Sequence, residues 1–162
     1  MAKTTYKLKL KDLIALTDLK TLNMETKDQL KDEVGELLTD LVLKDTSNQR
    51  SAVSGQLWKH LSKEYKKIKS KVAPGVANLE LTGSMLDSFE YKKYRDGIEI
   101  GVFGGVDALK AEHHCEFTAR ARKTPLPKRQ FIPKKDEKFR PGILKELKAL
   151  AEGIVYEEIE EE

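Results

Sequence analysis

The most ligand-like cluster in the chain is Glu112-His113-His114-Cys115-Glu116. Imidazole, thiolate and carboxylate hold zinc, and a Cys beside a His supplies the parts of a nucleophile pair. The spacing argues against both. Neighbours on a helix point about 100° apart, so five consecutive side chains do not converge on one ion. Outside the cluster the chain has His60 and no other Cys. The cluster is therefore expected to be structural. Gly101-Val102-Phe103-Gly104-Gly105 lacks the Gly-Lys-Ser/Thr ending of a phosphate loop and reads as a strand-ending turn. Asp87, Glu90, Asp96 and Glu99 sit on or beside a hairpin, where they are expected to decorate an exposed sheet face. Nucleophile, base and oxyanion donors are nowhere assembled, so the expectation is no enzyme, no catalytic residue, no cofactor and no metal.

Charge carries more information. Net charge is only +3, but its distribution is uneven. Residues 59–71 carry Lys59, Lys63, Lys66, Lys67, Lys69 and Lys71 against Glu64 alone. Residues 120–140 carry Arg120, Arg122, Lys123, Lys128, Arg129, Lys134, Lys135, Lys138 and Arg140, opposed by Asp136 and Glu137. The chain ends Glu157-Glu158-Ile159-Glu160-Glu161-Glu162. A basic middle and an acidic tail fit contact with a polyanion, contact between copies, or plain solvation. Arg120, Arg122, Lys123, Lys128 and Arg129 are the candidates for an interface or a DNA channel. Phe131 and Phe139 are the only aromatics among these charges, too few for a single-strand stacking platform. Duplex contact would run through phosphates and would be non-specific.

These residues need positioning elements. Residues 3–10 read as an extended arm and 11–19 as a weak helix. Thr26 and Gln29 fit a capping box. Leu30, Val34, Leu37, Leu38 and Leu41 then give an amphipathic helix over 27–44, with Gly35 inside it at a cost of about 1 kcal/mol relative to Ala. Residues 45–56 form a polar connector, and Ser62 caps a short helix to Lys69. Residues 84–94 read as a strand with Phe89 and Tyr91 on one face. Arg95-Asp96-Gly97 marks a tight turn whose Asp-Gly tolerates positive φ. Ile98, Ile100 and Val102 alternate on the returning strand. Asp107 caps a helix through Ala108, Ala111 and Cys115, and 118–129 reads as a loop mobile in the monomer. Phe131-Ile132 is a strand stub. Ile143, Leu144, Leu147, Leu150 and Ala151 give the last helix, entered by Pro141.

The fold class that follows is α+β: N-terminal amphipathic helices packed on a small antiparallel sheet (hairpin 84–103), with a C-terminal helix. The domain division is an arm and weak helix over 1–26, one domain over 27–153 and an acidic tail over 154–162, whose last six residues are expected to be extended or disordered. At 162 residues, folding buries about two-thirds of the chain's surface, enough for a core without disulfides. A composition 39% apolar and 35% charged excludes a collagen-like fibre and a Cys-stapled mini-fold. No window of 18 apolar residues and no apolar run after Met1 is present, so neither a membrane partner nor a secretory leader is expected. The lone Cys115 suits a reducing compartment.

Five stretches also resemble a known family. Ser54-Gly55-Gln56-Leu57-Trp58-Lys59-His60-Leu61-Ser62 is followed by Tyr65-Lys66 and Lys69, then by Leu79-Glu80-Leu81-Thr82-Gly83-Ser84-Met85-Leu86-Asp87-Ser88-Phe89. This resembles the Gly-x-x-Trp-x-x-Leu-Ser … Lys … Leu-x-x-Thr-Gly-x-Leu-x-x-Ser stretch of the phage virion morphogenesis family, the tail-completion or head-to-tail joining proteins of tailed bacteriophages. Ile98 to Phe103 is similar to the family's second strand. Ala111 to Phe117 is similar to its Ala-x-x-His-x-x-Gly segment, with Phe117 and Thr118 where the family has Gly shortly after the His. Pro127-Lys128-Arg129-Gln130-Phe131-Ile132 is similar to its Pro-x-Arg-x-Phe-Leu signature. The resemblance spans residues 27–153.

The resemblance implies a structural virion protein in the neck or tail, made in the host cytoplasm. It implies a homo-oligomer, a hexameric ring, meeting head connector and tail tube proteins and in non-specific contact with genomic DNA. The alternative is a non-specific nucleic-acid-binding accessory module. Trp58, Gly83, Phe89 and Phe131 are the structural anchors. Trp58 and Leu61 tie the polar connector to the core, Thr82-Gly83 turns the chain into the hairpin, and Phe131 pins the proline loop to the sheet. Plain packing and subunit contact both fit these four residues.

Overall fold

The structure, a computed structural model, describes residues 3–58, 63, 66–67, 70–71, 84–116 and 129–161. Three strands, β1 (Thr4–Lys9), β2 (Phe89–Tyr94) and β3 (Gly97–Val102), form one antiparallel sheet in the order β1-β3-β2. The helices are α1 (Leu16–Thr21), α2 (Met24–Ser47), α3 (Ser84–Asp87), α4 (Gly105–Glu116) and α5 (Pro141–Glu161), with a 3-10 turn at Leu10–Asp12. The fold is α+β, with helices before the hairpin and a long helix closing the chain.

β3 is central because both of its neighbours pair along its whole length. Ile98, Ile100 and Val102 point to one face and are buried. Leu8 and Tyr6 stand opposite Ile98 and Ile100 on β1, and Tyr91 and Phe89 stand opposite Ile100 and Val102 on β2. Glycine makes the β1 pairing possible. A Cβ on Gly97 would overlap the Leu8 carbonyl, and one on Gly101, at φ +149, would overlap the Thr4 carbonyl. Of the expected extended arm at 3–10, residues 4–9 are extended and pair as a strand of the sheet, while Leu10 begins the 3-10 turn.

α2 shows how side chains define a helix. Asn23, and not Thr26, is the N-cap, its side chain accepting from the Thr26 backbone N–H at 2.8 Å. The helix ends in a Schellman motif. Arg50 N–H donates to Asp45 C=O at 2.9 Å and Gln49 N–H to Thr46 C=O at 3.0 Å, with Gln49 at φ 58. Leu30, Val34, Leu38 and Val42 line its buried stripe. Gly35 lies in that stripe for a reason local propensity does not supply. The Tyr91 ring packs directly on it, and any Cβ there would overlap the ring.

α5 packs along α2 and buries Ile143, Leu147, Ala151, Ile154 and Val155. The acidic tail is not extended. The helix runs on to Glu161. Two features hold it: Ile154 and Val155 anchor the preceding turn, and the Asn23 backbone N–H donates to the Glu158 carboxylate at 3.4 Å. An acid at the positive end of α2 offsets part of the repulsion among the glutamates.

Other boundaries move. Residues 84–87 are helical, so the hairpin begins at Phe89. Its turn is Arg95-Asp96, neither at positive φ, and Gly97 is the first residue of β3. Asp107 lies within the first turn of α4 instead of capping it, and accepts from the Ser88 hydroxyl at 3.0 Å. Phe131-Ile132 is not a strand, because the backbone around it bonds to the 45–58 loop instead of the sheet. The expected loop at 118–129, apart from Arg129, nearly all of the helix at 62–69, and Gly83 lie outside the described residues.

Candidate functional site

Two stretches far apart in sequence meet at one end of the molecule. After the Schellman turn the chain makes an isolated bridge, Arg50 to Leu57, and the Trp58 N–H donates to Gln49 C=O at 2.7 Å. Residues 129–140 lie against this loop. The buried Ser51 hydroxyl donates to Gln130 C=O at 2.7 Å and accepts from the backbone N–H groups of Val53 and Ser54 at 3.1 and 3.2 Å. The Gln130 amide donates to Ile132 C=O at 3.0 Å and to Glu137 at 2.8 Å. The Arg140 N–H donates to Ala52 C=O at 2.8 Å.

An ion pair locks the two stretches. Arg140 Nε and Nη2 reach the two oxygens of Asp45 at 2.7 and 3.0 Å, a bidentate pair. Asp45 is buried on the last turns of α2. The hydrogen bond to it raises the Arg140 guanidinium further above its ordinary value. A charge removed from water is tolerated here because its partner's geometry matches it.

The anchor residues fall beside this junction. Trp58 is buried. Among the described residues its indole N–H has no hydrogen-bond partner. Phe131 is fully buried and meets Phe89 of β2 edge-on, ring centroids 6.0 Å apart. Arg129 begins the second stretch, and its backbone N–H donates to His114 C=O at 3.1 Å, tying it to the end of α4. Arg120, Arg122, Lys123 and Lys128 lie outside the described residues, as does Gly83. Leu57 is left exposed beside a cleft of about 340 Å³ that Ser51, Ser54, Trp58 and Gln130 also line.

The remaining candidates scatter. Cys115 is buried in α4. Among the described residues no three His, Cys, Asp or Glu side chains gather as a metal site. Glu99 faces the side of the sheet opposite the core. Burial pushes its carboxyl up, but hydrogen bonds from Lys3 and Thr5, both at 2.7 Å, outweigh this and hold it below the usual range. Glu90 shares that face with Lys92, 4.0 Å away. On the core side, Tyr91 donates to Asp32 at 3.0 Å, and Lys93 bonds Asp28 and Asp32 at 2.9 and 3.0 Å. Lys93 and Tyr91 lower the Asp32 carboxyl, while burial and the Asp32 bond push the Tyr91 hydroxyl up to about 12. This network clamps β2 to α2.

Sequence reasoning missed one surface altogether. The end of β1, the 3-10 turn, α1 and the start of α2 enclose a groove of about 510 Å³ beside the hairpin turn. Leu16, Leu19 and Met24 line it together with Lys9, Lys11 and Lys27. The only prior signal was the density of lysines over 3–31, which periodicity spreads over three separate elements. Among the described residues no helix is long and apolar enough to cross a membrane. Compared with protein-family models, curated proteins and solved structures, the chain matches none.

Proposed function

We propose that this chain is a structural protein of a tailed-phage virion, one that completes the tail end and joins it to the head connector as a homo-oligomeric ring in the neck. The observation that carries the reading is the junction just described. Two stretches on which the resemblance rests, 54–58 and 129–132, lie more than 70 residues apart in the chain, and the segments that carry them are tied together beside these stretches, by the Ser51–Gln130 bond and the Asp45–Arg140 pair. A signature split between two segments has a physical meaning if the segments form one unit. Here that unit is a braced corner built from packing and hydrogen bonds, which suits a framework role more than a reacting centre.

The test is assembly. Purified protein is expected to form rings in negative stain without nucleic acid, and to restore infectivity when mixed with tails lacking it. A protein that stays monomeric, and binds duplex DNA one to one with an affinity falling steeply with salt, would replace this reading with the nucleic-acid-binding alternative.

A further inference from the structure

We propose that the groove beside the hairpin turn receives the acidic C-terminal turn of α5 from a second copy of this chain. The inference deepens the self-assembly reading above and rests on it in one respect, that copies associate. It adds which surfaces meet.

The groove combines two properties. Its apolar lining is open to water: Met24 is 83% exposed and Leu16 54%. Around that lining stand Lys9, Lys11 and Lys27, none of which has a carboxylate partner among the described residues. Of the two acids in the lining, Asp28 is already engaged by Lys93 at 2.9 Å, and Asp96 is outnumbered by Lys31 and Arg95 together with the three lysines. A ligand that suits this surface brings both an apolar group and negative charge.

The far end of the same chain offers that combination. Tyr156 is 69% exposed on α5, and Glu157 and Glu160 are exposed beside it. Tyr156 and Glu160 are four apart and share a helix face. Glutamates at a helix C-terminus oppose the helix dipole, so folding alone does not call for them there. Glu158 shows the attraction within one copy, where it accepts from Asn23 at the start of α2. Duplex DNA fits less well, since its phosphates would satisfy the lysines and leave Leu16 and Met24 uncovered. The α5 end lies beside the groove of its own copy, through Glu158 and Asn23; where each copy gives its end to the groove of the next, the contact is head-to-tail, the kind that closes into a ring when the rotation permits.

Charge reversal tests this. Lys11→Glu with Lys27→Glu makes a groove-reversed copy, and Glu157→Lys with Glu160→Lys an end-reversed copy. In sedimentation velocity each alone is expected to associate at least tenfold more weakly than the unmodified protein. An equimolar mixture should regain association, because each reversed surface then finds its opposite. Tyr156→Ala should weaken association without changing its salt dependence. Far-UV circular dichroism checks the fold, and the milder Lys11→Ala with Lys27→Ala is read the same way if a reversal disturbs it. Unmodified protein that associates while both reversals also associate normally overturns the groove contact and leaves the ring reading standing. So does a mixture that stays apart. A groove reversal that abolishes duplex binding but not association assigns the groove to nucleic acid. Unmodified protein that stays monomeric at every concentration overturns both.

Discussion

The junction of 45–58 with 129–140 and the groove beside the hairpin turn use the same kinds of residue to opposite ends. At the junction, Arg140 meets a buried carboxylate in bidentate geometry, and Trp58 and Phe131 are packed away. At the groove, Lys9, Lys11 and Lys27 have no carboxylate partner among the described residues, and Leu16 and Met24 face water. A basic side chain beside an apolar one is therefore not in itself a sign of binding. Whether the charge has been neutralised inside the fold separates a brace from a docking surface. The braced corner should be read in stability, and the groove in association.

The largest expected effects lie at the junction. Arg140→Ala strands the Asp45 carboxylate in the interior and should cost about 3–5 kcal/mol. Trp58→Ala should cost about the same by leaving a cavity. Urea unfolding measures both, and a loss under about 1 kcal/mol for either would erase the distinction between corner and groove. Association per folded molecule should stay unchanged in both variants.

Gly35→Ala comes next, at the clamp between α2 and β2. Alanine favours a helix, yet here the Cβ strikes the Tyr91 ring, so the substitution should destabilise by about 1–3 kcal/mol. Combining it with Tyr91→Ala should recover part of that loss, a non-additivity that a double-mutant cycle detects. Simple addition of the two losses would show the ring contact to be incidental.

The groove substitutions should have the smallest effect on stability. Lys11→Glu with Lys27→Glu should move the unfolding free energy by no more than about 0.5 kcal/mol per site, as exposed surface changes do. A larger loss would make the groove part of the brace.

The clamp also sets a pH dependence. Asp32 is held below its ordinary 3.8 by Lys93, so its contribution is present above that value and lost as pH falls through the lowered one. Tyr91 is raised by burial from 10.0 to about 12, so its contribution is whole below pH 10 and lost as pH rises toward 12. Tyr6 and Tyr94 are raised by burial as well and share that alkaline limb. Tyr91→Phe should therefore shrink the alkaline loss without abolishing it, and melting temperatures across pH 9–12 would show an unchanged slope if Tyr91 plays no part.

Local rules carried much of the architecture. Alternation picked out Ile98, Ile100 and Val102 as one buried face, and helical spacing picked out the stripes of α2 and α5. Trp58 stood out because a large aromatic between polar runs has few uses besides burial, and Phe89 through its place on one face of the strand. These signals live within a turn or two of chain, where spacing maps directly onto a face. What lay beyond was decided by partners distant in sequence. Residues 4–9 become a strand because Gly97 and Gly101 leave room for their carbonyls. Gly35 is explained by a ring 56 positions later, and Arg140 by an acid 95 positions earlier. The glutamate-rich end stays helical because Ile154 and Val155 are buried just before it and the start of α2 lies alongside, though its local composition alone favours disorder. The groove exists only where four elements come together, and no window of sequence contains it. Periodicity states which face a residue presents; only the tertiary structure states what that face meets, because burial and charge pairing depend on distance in space and not on separation along the chain.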